Sequence, residues 1–108
     1  MDNAAIEELF DPLGPVSIRR MFGGKGIYHH GQIIALELST GELLLKADAT
    51  SAPEFAAAGA SQWSYEGKKG KSVAMPYWTV PDEALDDPDL MGKWLRLAYE
   101  AAVRSTRQ

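Results

Sequence analysis

The chain has 108 residues, of which 45% are hydrophobic and 24% are charged, with no cysteine and a net charge of −4 at pH 7. This composition excludes a disordered or fibrous protein and predicts one globular domain over residues 1–108. The lack of cysteine excludes disulfides, thiolate zinc sites and cysteine nucleophiles, and the negative charge argues against whole-surface binding of nucleic acid. The sequence shows no secretory signal and no apolar run as long as a membrane span, so we expect a cytoplasmic protein.

The first part of the chain predicts a helix followed by three strands. Apolar residues at helical spacing predict a helix from Asp2 to Leu13, and Gly14-Pro15 ends it. Strands are expected over Val16–Phe22, Ile27–His30 and Gln32–Leu38, with a turn at His30-Gly31 between the last two. In the third strand, strict alternation places Ile34, Leu36 and Leu38 on the face opposite Ile33, Ala35 and Glu37.

The middle of the chain predicts a further strand and a short helix. The strand is Leu43–Ala47, in which Leu44 points away from its apolar neighbours and must be covered from the other side of the sheet. Ser51-Ala52-Pro53-Glu54 matches a capping box, in which the serine side chain caps the helix. Gly59 ends this helix.

A second hairpin is expected from Trp63–Glu66 and Lys71–Val80. Pro76 has no N–H to donate to a neighbouring strand, so the second of these strands lies at an edge of the sheet or is broken at the proline. An open edge there could pair two subunits, which leaves both a monomer and a homodimer open.

The C-terminal part predicts a single helical turn through Leu85 and then the longest helix. Asp87 caps that helix and Pro88 occupies its first position, and its end is expected to fray after Arg104. Its buried face is expected to contain Leu90, Trp94, Leu97, Ala98 and Ala101. The element order, α-β(3-4)-α-β(2)-α, indicates an α+β fold, with a mainly antiparallel sheet of five to six strands and flanking helices.

The most unusual segment is the glycine-rich stretch at Gly23, Gly24 and Gly26. Three glycines among four residues are unfavourable in a plain strand, so they indicate a bulge, a positive φ or close approach of another segment. One interpretation is a bulged corner of the sheet. The other is a loop that binds a ligand or partner, with Lys25 at its tip. A phosphate-binding loop is excluded, because Gly26 stands where such a loop needs serine or threonine.

Few residues suggest catalytic or metal chemistry. His29 and His30 are neighbours in an expected strand, where their side chains point to opposite faces and cannot bind one metal ion together. The sequence assembles no nucleophile, base and orienting group, and we therefore expect neither an enzyme nor a metal or cofactor site.

Basic residues form two groups that could bind nucleic acid. Arg19 and Arg20 precede the glycines, and Lys68, Lys69 and Lys71 lie in the second hairpin. That hairpin also contains aromatic residues, and basic and aromatic side chains together can hold phosphates and stack bases. The alternative is a solubilising hairpin tip above aromatic residues that belong to the core.

Five segments together resemble the N-terminal domain of the TfoX/Sxy family. Arg19 to Tyr28 reads R-R-M-F-G-G-K-G-I-Y, which is similar to the family signature R-x-M-F-G-G-x-G-[IL]-Y. The other matching segments follow in the family's order: Leu43–Asp48, Phe55–Gly59, Tyr65–Tyr77 and Val80–Pro88.

The resemblance implies a bacterial regulatory domain of the secretion-chaperone-like α+β type, without catalytic residues. It also implies a role in competence and transcription regulation through protein contacts, with the cAMP receptor protein or RNA polymerase as partners. The chain ends after the last predicted helix, so we expect a stand-alone domain without the family's C-terminal helical domain. The motif residues that could form a partner surface are Arg19, Arg20, Met21, Phe22, Gly23, Gly24, Lys25 and Gly26.

Overall fold

The computed structural model describes residues 1–21, 23–66 and 70–107. Its elements in chain order are α1 Asn3–Leu9, β1 Ser17–Met21, β2 Gly24–His29, β3 Gln32–Glu37, β4 Leu43–Lys46, α2 Ala52–Ala57, β5 Gln62–Glu66, β6 Ser72–Thr79, a 3₁₀ turn Asp82–Ala84 and α3 Pro88–Thr106. The strands form one six-stranded antiparallel sheet in the order β1-β2-β3-β4-β6-β5. The predicted α+β class and the order of the elements are confirmed.

The core lies between the helices and one face of the sheet. Ile27, Ala35 and Leu45 are neighbours across β2, β3 and β4, and all three are fully buried. Against them pack large side chains from each helix and from the residue that follows α1, namely Ile6, Phe10, Phe55, Trp94 and Leu95. Burial of each large apolar side chain contributes about 1.5–3 kcal/mol before conformational entropy is subtracted. Within the described residues, none of the helices is long and apolar enough to cross a membrane.

Helix α1 is shorter than the sequence predicts. It ends at Leu9 instead of Leu13, and the chain continues in turns in which Leu13 N and Gly14 N both donate to the carbonyl of Phe10. Pro12 explains the early end, because it has no N–H for the next helical hydrogen bond.

The alternation predicted for β3 is wrong at one point. Ile27 pairs with Ala35 and Tyr28 pairs with Ile33, so Ile34 is an extra residue in a β-bulge. A bulge turns two successive side chains toward one side of the sheet. Ile34 and Ala35 are accordingly both fully buried in the core. By contrast, the prediction that Leu44 is covered is confirmed: it is fully buried although it lies on the face opposite the core.

Strand β6 is an inner strand, so the prediction of an edge at Pro76 is wrong. It lies between β4 and β5, and the edges of the sheet are β1 and β5. The alternative, a strand broken at the proline, agrees with the pairing. The ladder with β4 ends at Tyr77, where Ala47 N donates to the Pro76 carbonyl at 3.0 Å, and the ladder with β5 is irregular at the same level. The basis for pairing two subunits at this strand is therefore lost.

The caps of α2 and α3 differ from each other. Asp87 caps α3 as predicted, because its side chain accepts from the N–H groups of Asp89 and Leu90. Ser51 makes no side-chain cap to α2, so the predicted capping box is wrong. Asp48 accepts instead from the N–H groups of Thr50 and Ser51, both at 3.1 Å. Helix α3 also continues to Thr106, beyond the predicted fraying point at Arg104.

Candidate functional site

The glycine-rich segment forms the tight hairpin between β1 and β2. Met21 pairs with Gly24, so the connection consists of residues 22–23, and Gly23 has a φ of 79°. Strand β2 begins at Gly24, three residues earlier than predicted. The bulge that one interpretation placed at the glycines lies instead at Ile34 of β3, opposite Ile27 and Tyr28. Phe22 lies outside the described residues.

Gly24 and Gly26 are glycines because other atoms approach them closely. A Cβ on Gly24 would collide with the backbone carbonyl of Glu37 in β3. A Cβ on Gly26 would lie 2.5 Å from the side chain of Met21, which covers it from β1. Gly24 and Gly26 therefore allow β1, β2 and β3 to lie close together at this point.

Lys25 lies within β2 and not at the tip of a loop. Its Nζ donates to the Met1 carbonyl and to Asn3 Oδ1, both at 2.9 Å, and lies 3.9 Å from a carboxylate oxygen of Glu37. The Glu37 carboxylate also accepts from the Met1 ammonium at 2.9 Å. These contacts fasten the start of α1 to the sheet. Glu37 is only 6% exposed. The sequence analysis did not predict this role, and the signal that could have indicated it is an acidic residue on the same face of the strand as Ala35.

Arg19 and Arg20 are the exposed side chains of the same hairpin. The Arg19 guanidinium lies 5.3 Å from the ring centre of Tyr28, on the face of the sheet without helices. Arg20 is opposite Lys25 and lines an open groove of about 570 Å³ together with Gly23, Gly24 and Ser39. The hairpin therefore presents positive charge toward solvent.

The β1 edge has no neighbouring strand on its outer side. We define this edge as the outer backbone of Ser17–Met21 with the side chains of Arg19 and Arg20. β1 pairs only with β2, because it is the last strand of the sheet. In the register of this hairpin, the N–H and C=O groups of Ile18 and Arg20 point away from β2. Within the described part of the chain, neither residue takes part in a further backbone hydrogen bond.

The hairpin of β5 and β6 is a second exposed region. The rings of Trp63 and Tyr65 lie 6.0 Å apart, and Tyr65 and Val73 are 47% and 40% exposed. Neither aromatic residue belongs to the core cluster. The alternative prediction, in which the aromatic residues of this hairpin belong to the core, is therefore wrong for Trp63 and Tyr65. Lys71 is exposed in the same hairpin, whereas Lys68 and Lys69 lie outside the described residues.

The two adjacent histidines do not point to opposite faces as predicted. His30 adopts a φ of 49° in the turn after β2, and its ring stacks on that of His29 with centroids 4.0 Å apart. His29 Nδ1 lies 2.7 Å from the Pro15 carbonyl and donates to it, and Tyr99 packs edge-on against both rings. In the described ranges, no three histidine, aspartate or glutamate side chains are grouped to hold a metal ion.

The helix-free face of the sheet contains a half-buried lysine beside a buried tyrosine, which the sequence analysis missed. Lys46 lies opposite Tyr77, with its Nζ 5.8 Å from the centre of the ring. Burial lowers the pKa of Lys46, whereas the nearby Asp48 carboxylate opposes that change. Burial raises the pKa of Tyr77, and the nearby Tyr28 adds to this shift.

Comparison with known proteins identifies one family. The family model described as TfoX N-terminal domain matches residues 8–102, which is most of the 108-residue chain. The match includes both exposed hairpins. No curated protein matches the chain.

Proposed function

We propose that this chain, which belongs to the TfoX N-terminal domain family, is a non-enzymatic module that regulates transcription through protein contacts. The regulatory role comes from the family resemblance, which also suggests the cAMP receptor protein and RNA polymerase as partners. The observation that carries the proposal is the open β1 edge, where Arg19 and Arg20 are exposed beside unpaired backbone groups. Exposed strand edges of this kind are ready to pair with another chain.

The residues of the glycine-rich hairpin fall into a structural group and an exposed group, and this difference supports the proposal. Gly24, Gly26 and Lys25 are occupied by contacts inside the chain, so they are poorly placed to contact a partner. The arginines are exposed and are the residues that a partner would meet. The two glycines and Lys25 thus maintain the structure of the hairpin, and the arginines are its contact groups for a partner.

A pull-down tests the proposal. The tagged chain is incubated with a lysate of its source cell, and the cAMP receptor protein and RNA polymerase subunits are quantified by mass spectrometry. We expect capture of one of them, and loss of that capture in the double variant Arg19→Glu, Arg20→Glu. A variant with Lys71→Glu and Arg96→Glu is the control, because it makes the same change of charge at exposed positions away from β1. Capture of neither partner, or equal loss in the control, contradicts the proposal.

A second candidate function is binding of nucleic acid by the β5–β6 hairpin. It is favoured by the exposure of Tyr65 and Lys71 in one hairpin, because bases stack on exposed aromatic side chains and phosphates attract lysine. The test is fluorescence anisotropy with single- and double-stranded oligonucleotides over a series of salt concentrations. We expect affinity that falls steeply with salt and is lost in Tyr65→Ala. Absence of binding at low salt rejects this candidate.

A further inference from the structure

We infer that the β1 edge binds an acidic, extended segment of a partner protein, which joins the sheet as an additional strand beside β1. The inference rests on the proposed function, because it names the class of partner segment for the same surface. It combines two properties of the edge, namely its free backbone groups and the positions of its two arginines.

The backbone supplies the pairing groups. Met21 pairs with Gly24 across a two-residue connection, so Met21, Arg19 and Ser17 exchange hydrogen bonds with β2. Ile18 and Arg20 therefore direct their N–H and C=O groups outward, at the spacing that one side of an incoming strand requires. Recognition of an extended peptide by such an edge uses these main-chain groups for affinity and the side chains for specificity.

The arginines supply the specificity. Arg19 and Arg20 are adjacent in β1, so their side chains leave on opposite faces of the sheet. Arg19 lies on the helix-free face beside Tyr28, whereas Arg20 lies on the same face as Ile18, which packs against the core. The side chains of β1 therefore offer one arginine on each face of the sheet to a strand added beside it. Two adjacent acidic residues in that strand would place one carboxylate beside each arginine.

Charge also decides between an acidic segment and a second copy of this chain. Antiparallel pairing of β1 with the β1 of another copy would bring the arginines of both copies together, and like charges in facing positions destabilise a sheet. The carboxylate of Glu37 does not offset these charges at the edge, because it is buried and bound to Lys25 and the Met1 ammonium.

The test is titration of the ¹⁵N-labelled chain with capped peptides, followed by NMR. The acidic peptide has a central Asp-Glu pair flanked by threonine and valine, and its control has Lys-Lys in the same place. We expect shifts at the amides of Ile18 to Met21 with the acidic peptide, and binding of the control that is at least about tenfold weaker. A peptide with Asp and Glu separated by one residue should also bind less tightly, because both carboxylates would then lie on one face.

Variants of the chain separate charge from backbone pairing. The double variant Arg19→Ser, Arg20→Ser should lose the preference for the acidic peptide. Ile18→Pro should lose binding while retaining both arginines, because proline removes an outward N–H. Circular dichroism is used to check that each variant is folded. If Ile18→Pro is unfolded, methylation of the peptide backbone nitrogens supplies the same test with the unaltered chain.

Three results would overturn the inference. They are a failure of the acidic peptide to bind more tightly than the lysine peptide, which includes no binding of either, shifts confined to the β5–β6 hairpin, and self-association of the chain through β1 in analytical ultracentrifugation. The inference and the proposed function can fail separately. Binding of the acidic peptide without capture of a transcription partner contradicts only the proposed function. Capture that requires the arginines, without peptide binding, contradicts only strand addition.

Discussion

Arg104 in the last turns of α3 binds Asp48, which lies 56 residues earlier in the turn between β4 and α2. Its Nε donates to Asp48 Oδ2 at 2.6 Å and its Nη2 donates to Oδ1 at 3.0 Å. The same carboxylate caps the turn before α2 through the N–H groups of Thr50 and Ser51. One aspartate therefore fixes the start of α2 and ties it to the end of α3.

The Asp48–Arg104 pair should make stability depend on pH in acid. The Arg104 guanidinium lowers the pKa of Asp48 from its ordinary 3.8 to about 2. The stabilisation is therefore fully present above the unfolded-state value and is lost as the pH falls from about 4 to about 2. Because about a third of each side chain is exposed, solvent screening makes the effect smaller than the pKa shift alone implies. Urea unfolding of the wild type and Asp48→Asn should differ at pH 7 and converge near pH 2.

Asp48→Ala should cost more than Asp48→Asn at pH 7. Asparagine keeps an oxygen that can accept from the backbone of Thr50 and Ser51, whereas alanine removes the cap, which costs about 1 kcal/mol more. Ser51→Ala is the matched comparison, because it removes the side chain that the sequence wrongly predicted to cap α2. Equal losses in the two Asp48 variants would show that the ion pair alone matters.

Gly24→Ala and Gly26→Ala should differ although both positions lie in β2. The Cβ that Gly24→Ala adds would meet the rigid backbone carbonyl of Glu37, so we expect a loss of about 2–3 kcal/mol. The Cβ that Gly26→Ala adds would meet the flexible end of Met21, which can move, so the change should stay within about 1 kcal/mol. Urea denaturation measures both values. A cost at Gly26 as large as that at Gly24 would contradict this account of the glycines.

Trp94→Phe should be unusually mild for a change in the core. Trp94 is 2% exposed, and its Nε1 finds no hydrogen-bond partner within the described residues. Phenylalanine removes this unsatisfied donor, which offsets part of the cavity, so we expect a net cost below about 1.5 kcal/mol. Trp94→Ala creates the full cavity and should cost about 3–5 kcal/mol. If Trp94→Phe is as costly as Trp94→Ala in thermal and urea unfolding, the indole N–H must be satisfied in solution.

Lys25→Met should loosen α1 and leave the sheet intact. The substitution keeps the apolar stem but removes the donors to the Met1 carbonyl and Asn3 Oδ1. Hydrogen exchange should therefore accelerate at the amide of Ile6, which donates to the Asp2 carbonyl, and stay unchanged in β3. Arg20→Met is the control, since Arg20 is exposed and lies opposite Lys25. Faster exchange throughout the sheet would show that Lys25 has a wider role.

Local sequence signals determined most elements of the chain. The cap at Asp87, the turn at His30-Gly31 and the apolar face of α3 were predictable, because each depends on residues within a few positions of one another. The resemblance to the family was equally readable, since the signature from Arg19 to Tyr28 is continuous in sequence.

The tertiary structure decided what the signature residues do. That Gly24 lies against Glu37 and that Lys25 holds the start of α1 follow from the pairing of β2 with β3, which no pattern within either strand specifies. The same reason explains the inner position of β6 and the Asp48–Arg104 pair, because both join segments distant in sequence. Sequence periodicity sets which way a side chain points along its own element. Only the packing of distant elements decides which strands remain at the edges of the sheet, and here those strands are β1 and β5.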